Sequence, residues 1–213
     1  MQCQAIKTAV CLWVLTGLIY SKTSWAENWK LEKQQGNVSI YSQDRDSGYK
    51  EIQVKTIVAA HPSALIALLD DVAFSSKWMH NCIEVKVLEE ISATERIINS
   101  FFNAPWPVKN RDMVVLSETF MDGDSIKIKL SDQGSALPHH AKYVRMENMH
   151  GLWEAHKLEN GSSEIIYTGG GNPGGNLPTF LANKELISSM FKTFQNLNRV
   201  ILLDKYQTND RTD

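Results

Sequence analysis

The hydrophobic pattern of this chain changes period along its length, and each change marks a different kind of element. Residues 8–20, from Thr8 to Tyr20, form an almost unbroken apolar run behind a short polar start that carries Lys7. A short amphipathic opening follows at 29–35. Strand-like composition then appears at 38–41 and 49–58, across a turn rich in Asp44, Asp46, Ser47 and Gly48. Pro62 suits a first helical position, and Ala64, Leu65, Leu68 and Leu69 form one apolar face at helical spacing up to Asp70. A second short helical piece is expected to carry Phe74 and Trp78. The period then falls to two, giving strands at 82–89, 95–103, 112–120 and 125–130, with Met121-Asp122-Gly123-Asp124 as a tight hairpin. Further strands are expected at 143–158 and 164–168, parted by the Asn160-Gly161 turn.

From Pro178 the spacing returns to three and four. Phe180, Leu181, Ile187, Met190, Phe191, Phe194, Leu197 and Ile201 recur as one face of a helix running to Asp204, about 40 Å long at 1.5 Å per residue. A helix of that length with a single apolar stripe needs a broad surface to cover, and the preceding antiparallel strands supply one. The pattern therefore predicts an α+β fold in which a curved sheet wraps one long helix and can leave a hollow between them. The Met and Phe stripe reads either as ordinary core or as the wall of that hollow.

Composition alters this picture at the N-terminus. The polar start, the apolar run and the small residues of Ser24-Trp25-Ala26 make the three parts of a secretory signal peptide. The run is broken by Ser21, Lys22 and Thr23 before reaching the ~20 residues a membrane span requires. The expected organisation is a signal peptide at 1–26, one domain at 27–208 and a disordered polar tail at 209–213, with the mature protein periplasmic or secreted. Cleavage near Glu27 removes Cys3 and Cys11 and leaves Cys82 alone, so no intramolecular disulfide is expected. Losing Lys7 and Lys22 lowers the formal net charge of −2 by two, which offers nothing to a nucleic acid. The six histidines lack ligand spacing, so no metal or cofactor is expected. Cys82 has no catalytic signature around it, and no Gly-x-Ser-x-Gly occurs, so no catalytic residue is assigned.

Two segments go beyond a generic α+β domain. Ala104-Pro105-Trp106-Pro107-Val108-Lys109-Asn110-Arg111-Asp112 lies between two strands, and Gly171-Asn172-Pro173-Gly174-Gly175-Asn176-Leu177-Pro178 leads into the last helix. Both resemble the START lipid-transfer family, the second being similar to the Asn-Pro-Gly-Gly run of members related to phosphatidylcholine transfer protein. The resemblance implies a helix-grip fold enclosing one lipid in a tunnel, a protein that carries lipid without chemistry, and a monomer that meets a membrane surface transiently. The lipid-binding residues it implies are Trp106, Arg111, Asp112, Trp153, Tyr167, Leu177, Phe180, Met190, Phe191 and Phe194. The 104–111 loop and the start of the helix are expected to gate the tunnel.

Several of these positions carry two readings. Pro105 and Pro107 stiffen the loop, and Trp106 at its tip either meets a bilayer or folds into the core. Arg111 and Asp112 either hold a lipid phosphate or form a structural ion pair closing the loop, the latter being favoured. The glycines at 169–175 supply hinge freedom opposite the loop. Sterol-binding relatives carry a buried acid–base pair, whereas Ile97-Ile98-Asn99 and Val115-Leu116-Ser117 carry no charge here, which favours an acyl-chain ligand. The wider superfamily includes cyclases and aromatases, and for an enzyme of that kind Glu154, His156 or Tyr167 would supply the acid or base.

Overall fold

The structure, a computed structural model, describes residues 28–207. The expected signal peptide, its cleavage site and the tail at 209–213 lie outside the described residues. Among the described residues ten strands form one sheet: β1 (Lys30–Gln35), β2 (Val38–Asp44), β3 (Lys50–Val58), β4 (Cys82–Glu90), β5 (Glu95–Phe102), β6 (Arg111–Asp122), β7 (Ser125–Asp132), β8 (Val144–Arg145), β9 (Glu147–Lys157) and β10 (Ser163–Asn172). Their order is β1-β2-β3-β10-β9-β7-β6-β5-β4, every pair on that path being antiparallel, and β8 adds two parallel residues beside β6. Helix α1 (Ser63–Asp70) and the 3-10 turn Val72–Lys77 bridge β3 to β4, and α2 (Thr179–Val200) follows β10.

The opening at 29–35 is thus an edge strand, paired from Gln35↔Val38 outward across a turn at Gly36. The expected 121–124 hairpin is present, with Asp122 opposite Ser125 and Gly123 in the left-handed region. The strand expected at 143–158 is divided. The break falls at Met146: β8 before it pairs with β6 rather than extending β9, and Asn148, the second residue of β9, takes a positive φ of 53° where the register to β10 shifts. Helix α2 also ends earlier than the stripe suggests. Its 22 residues span about 33 Å, and the chain turns at Leu203 into a short 3-10 segment, Asp204–Tyr206. Ile201 still buries completely, which is why the stripe runs on past the helix.

The core occupies one half of the molecule. Val38, Ile40, Ile52 and Val54 of β2 and β3, with Ala155 and Ile165 of β9 and β10, meet Phe191, Phe194 and Leu197 of α2 and Leu65 and Leu68 of α1. Trp78, fully buried just beyond the first 3-10 turn, caps this cluster. Polar groups fix the helix in register: Asn183 Oδ1 accepts from the Lys50 amide at 2.9 Å, Asn198 Oδ1 from Thr56 at 2.9 Å, and Asn196 donates to the Trp78 carbonyl at 3.0 Å. Among the described residues, the fully buried large apolar side chains of α2, Phe191, Phe194 and Leu197, all lie in its C-terminal half. Its N-terminal half spans the other end of the sheet, where inward positions of β5 and β6 include Ser100 and Ser117 and a hollow lies beneath the helix.

Candidate functional site

That space is a chamber of about 580 Å³ with predominantly apolar walls. The period-two geometry of a strand builds one wall: Arg96, Ile98, Ser100 and Phe102 are alternate residues of β5 and share a face, with Arg111 and Met113 of β6 beside them. Trp153 of β9 and Tyr167 of β10 form the floor toward the core. Leu177, Leu181, Leu186 and Met190 make the roof, and Ala104, Pro105 and Val108 bring the loop before β6 to the edge.

Trp153 stands at the boundary between chamber and core. Its ring stacks on Phe194 with centroids 5.5 Å apart and planes 4° from parallel, and it meets Tyr167 at 4.8 Å. The Tyr167 ring lies flat on the sheet because the next same-face position and its cross-strand partner are both glycine. A Cβ on Gly169 would come within 2.6 Å of the Tyr167 oxygen, and one on Gly151 within 2.8 Å. Burial pushes the Tyr167 phenol far above its ordinary pKa, with the Glu51 charge contributing second, so it remains a neutral hydroxyl.

Of the ten residues assigned from the sequence, Arg111, Trp153, Tyr167, Leu177 and Met190 line the chamber together. Phe191 and Phe194 do not. Both are buried in the core cluster, because the last turns of α2 lie over the packed strands rather than the hollow ones. Asp112 does not either: adjacent strand residues face opposite ways, so it lies behind the sheet, fully buried against Arg145. Trp106 and Phe180 are 93% and 69% exposed, and their chain neighbours Pro105 and Leu181, not they, line the chamber. Sequence reasoning missed Arg96, Phe102, Met113 and Met149. The alternation of 95–102 was visible and would have nominated Arg96 and Phe102 as one face.

The Arg111–Asp112 pair expected from the sequence is not formed. Arg145 holds the Asp112 carboxylate through Nε at 2.8 Å and Nη2 at 2.7 Å, and also donates to the carbonyls of Gly134 and Pro138. This ties residues 134–145 across the outer face of β6. Arg111 instead donates through Nε to the Pro173 carbonyl at 3.4 Å and through Nη1 to the Lys109 carbonyl, and burial lowers its pKa. It thereby joins the 103–110 loop to the 172–178 segment. Asn110 closes the loop base, accepting from the Ala104 amide at 3.0 Å.

The glycines before α2 are required by space. Gly169 and Gly170 belong to β10, where a Cβ would press on the His150 carbonyl at 2.6 Å and the Lys50 carbonyl at 3.0 Å respectively. Gly174 and Gly175, at φ 71° and 67°, need a conformation other residues avoid. Burial pushes the Cys82 thiol up to about 11, with the Glu84 charge adding to the effect, so it stays protonated and unreactive. Among the described residues, no three His, Cys, Asp or Glu side chains converge on a common point.

A single helix laid across a curved antiparallel sheet, with an apolar chamber between them, defines the helix-grip class of ligand-enclosing domains. The particular family follows from comparison: the START domain model matches residues 14–203, and the chain belongs to that family. An uncharacterised protein of Pseudomonas aeruginosa is 33% identical over 175 residues, covering 81% of this chain and 86% of that one. Human START domain-containing protein 10 is 24% identical over 161 residues, 74% of this chain and 55% of the relative. The STAR-related lipid transfer protein of Xanthomonas axonopodis shares the fold with a TM-score of 0.74 at 23% identity, covering 81% of this chain and 98% of that fragment.

Proposed function

We propose that this protein is a non-enzymatic, exported domain that encloses one phospholipid or other acyl-chain lipid and transfers it as a monomer through transient contact with membranes. The observation that carries the reading is the chamber, whose volume of about 580 Å³ lies within the ~300–1,000 Å³ of ligand pockets and whose walls are mostly apolar. Its gate is formed by the 104–111 loop and the start of α2, around Leu177 to Leu181. The exposed Trp106 and Phe180 flank that gate and give it an apolar contact with a bilayer surface. The Xanthomonas relative is a STAR-related lipid transfer protein, which supports the same reading.

The geometry favours binding over catalysis. Glu154 and His156 occupy β9 positions that alternate with the chamber-facing Trp153, and their partners are Lys127 at 3.5 Å and Ser125 at 3.3 Å. Tyr167 reaches the chamber as a neutral hydroxyl without a proton acceptor hydrogen-bonded to it among the described residues. A cyclase would need a proton-transfer pair there.

The test is native mass spectrometry on the full chain expressed in a bacterial host and purified from the compartment it reaches. The expected result is one lipid per protein and an N-terminus within two residues of Glu27. No recovered lipid, together with no uptake from labelled vesicles, refutes the lipid reading; an intact Met1 on exported protein refutes the leader.

A further inference from the structure

Arg111 is a cation without a counter-ion in an apolar chamber. It is 8% exposed, and it stands at the start of β6 opposite Phe102, where the loop and the pre-helix segment meet. Its two hydrogen bonds, from Nε and Nη1, both go to backbone carbonyls, of Pro173 and Lys109. Its neighbour in sequence, Asp112, is behind the sheet and already held by Arg145. The second cation of the chamber, Arg96, is differently placed: it pairs with Asp70 at 2.7 Å and with the Leu69 carbonyl. Of the remaining ionisable groups in the wall, Lys184 and Glu185 are exposed, Glu185 is taken by Asn81 and Ser189, and His80 faces Lys192. Arg111 makes no ion pair with any described residue.

Taking a guanidinium out of water without an opposite charge is costly, and carbonyl dipoles offset that cost only in part. The Nη2 group has no partner among the described residues, so donors remain for a further acceptor. An anion there would be met by a planar donor array and would join both walls of the mouth through one side chain.

We propose that the ligand carries an anionic head, a phosphate or a carboxylate, held by Arg111 at the mouth while its acyl chains fill the chamber toward Arg96. This rests on the lipid-binding reading and narrows it to anionic single- or double-chain lipids. The alternate faces of Arg111 and Asp112 are what make it possible: had the aspartate shared the chamber face, the charge would already be cancelled.

The experiment loads the delipidated full chain from phosphatidylcholine vesicles containing one-tenth phosphatidic acid. Salt of about 0.5 M suppresses attraction at the protein surface. The lipids bound to the repurified protein are then weighed by mass spectrometry. Phosphatidic acid is expected to be enriched over its share in the vesicle by about ten- to hundredfold, the range of a charge-assisted hydrogen bond. Arg111→Met should lose that enrichment, read as the ratio of the two lipids bound whatever the total uptake, and Arg111→Lys should keep part of it. A parallel arm measures melting with millimolar inorganic phosphate alone. Bound lipid matching the vesicle composition in the wild type overturns the inference while leaving lipid binding intact; that comparison decides the matter even if a variant fails to fold. Enrichment surviving in Arg111→Met also overturns it. Protection by inorganic phosphate without any lipid preference assigns the site to the free ion and removes the lipid-head claim. No uptake of either lipid removes the lipid-binding reading as well.

Discussion

Replacing Trp106 with alanine separates a gate from a core residue by two measurements on one variant. The indole is 93% exposed, so deleting it removes little packing, and the expected change in stability is within about 0.5 kcal/mol. A tryptophan folded into the core would instead cost about 3–5 kcal/mol. Its worth at a membrane is larger. A tryptophan buries about 150–250 Å² when fully covered, equivalent to about 5 kcal/mol at 25 cal/mol/Å². An interfacial position covers roughly half of that, leaving about 2–3 kcal/mol, or about 30- to 100-fold in the population of membrane-bound protein. The assay pairs thermal melting with the rate of fluorescent-lipid transfer between vesicles, expressed per folded molecule. Transfer should fall by one to two orders of magnitude while melting barely moves. Unchanged transfer, or a drop in stability of several kcal/mol, refutes the assignment of Trp106 to the gate.

Three further outcomes follow from contacts elsewhere in the fold. Arg145→Met strands the fully buried Asp112 carboxylate and should cost about 3–5 kcal/mol in denaturant unfolding, whereas the double change with Asp112→Leu should recover much of that loss. Gly169→Ala places a Cβ within 2.6 Å of the His150 carbonyl and of Tyr167, so a loss of about 1–3 kcal/mol and a displaced Tyr167 ring are expected; full stability in urea would sink this account of the slot. His150 is subject to burial, which lowers its pKa, but the bonds to Glu51 at 2.9 Å and to the Asn148 carbonyl outweigh it and hold the value above the ordinary 6.5. A raised folded pKa stabilises the fold below about 6.5, and the contribution is lost as pH rises through the raised value. The ring is half-exposed, so the effect belongs to the surface range of ~0–1 kcal/mol: His150→Gln should lower the melting temperature at pH 5.5 and leave it unchanged at pH 8.5.

The sheet and the long helix were legible in the sequence because each rests on local periodicity, whereas the chamber was implied by the family resemblance of the two Pro- and Gly-bearing segments. What the stripe on α2 concealed was the boundary between core and hollow. Phe191 and Met190 are adjacent and chemically alike, yet one packs against Lys33 and the core strands and the other roofs the chamber. That difference is set by the strands opposite, not by the helix. Asp112 was misplaced for a related reason: its partner Arg145 is 33 residues away, and the two meet only because β8 folds back parallel to β6. The 143–158 segment had strand composition throughout, and no local signal placed a break at Met146. Trp106 carried no period of its own, so its exposure had to be seen.

The division of α2 into a packed half and a roofing half separates two kinds of inheritance. Residues that make the chain fold, such as Phe194, Leu197 and Ile52, occupy one end of the molecule, and residues that shape the chamber, such as Ile98, Phe102 and Met113, occupy the other. Substitutions at the second set alter volume and polarity where little packing stands to be lost, so ligand preference on such a scaffold can drift without loss of the fold. The reverse also holds: a variant that filled the hollow with larger side chains would melt higher and carry nothing, and selection for thermal stability alone would find it.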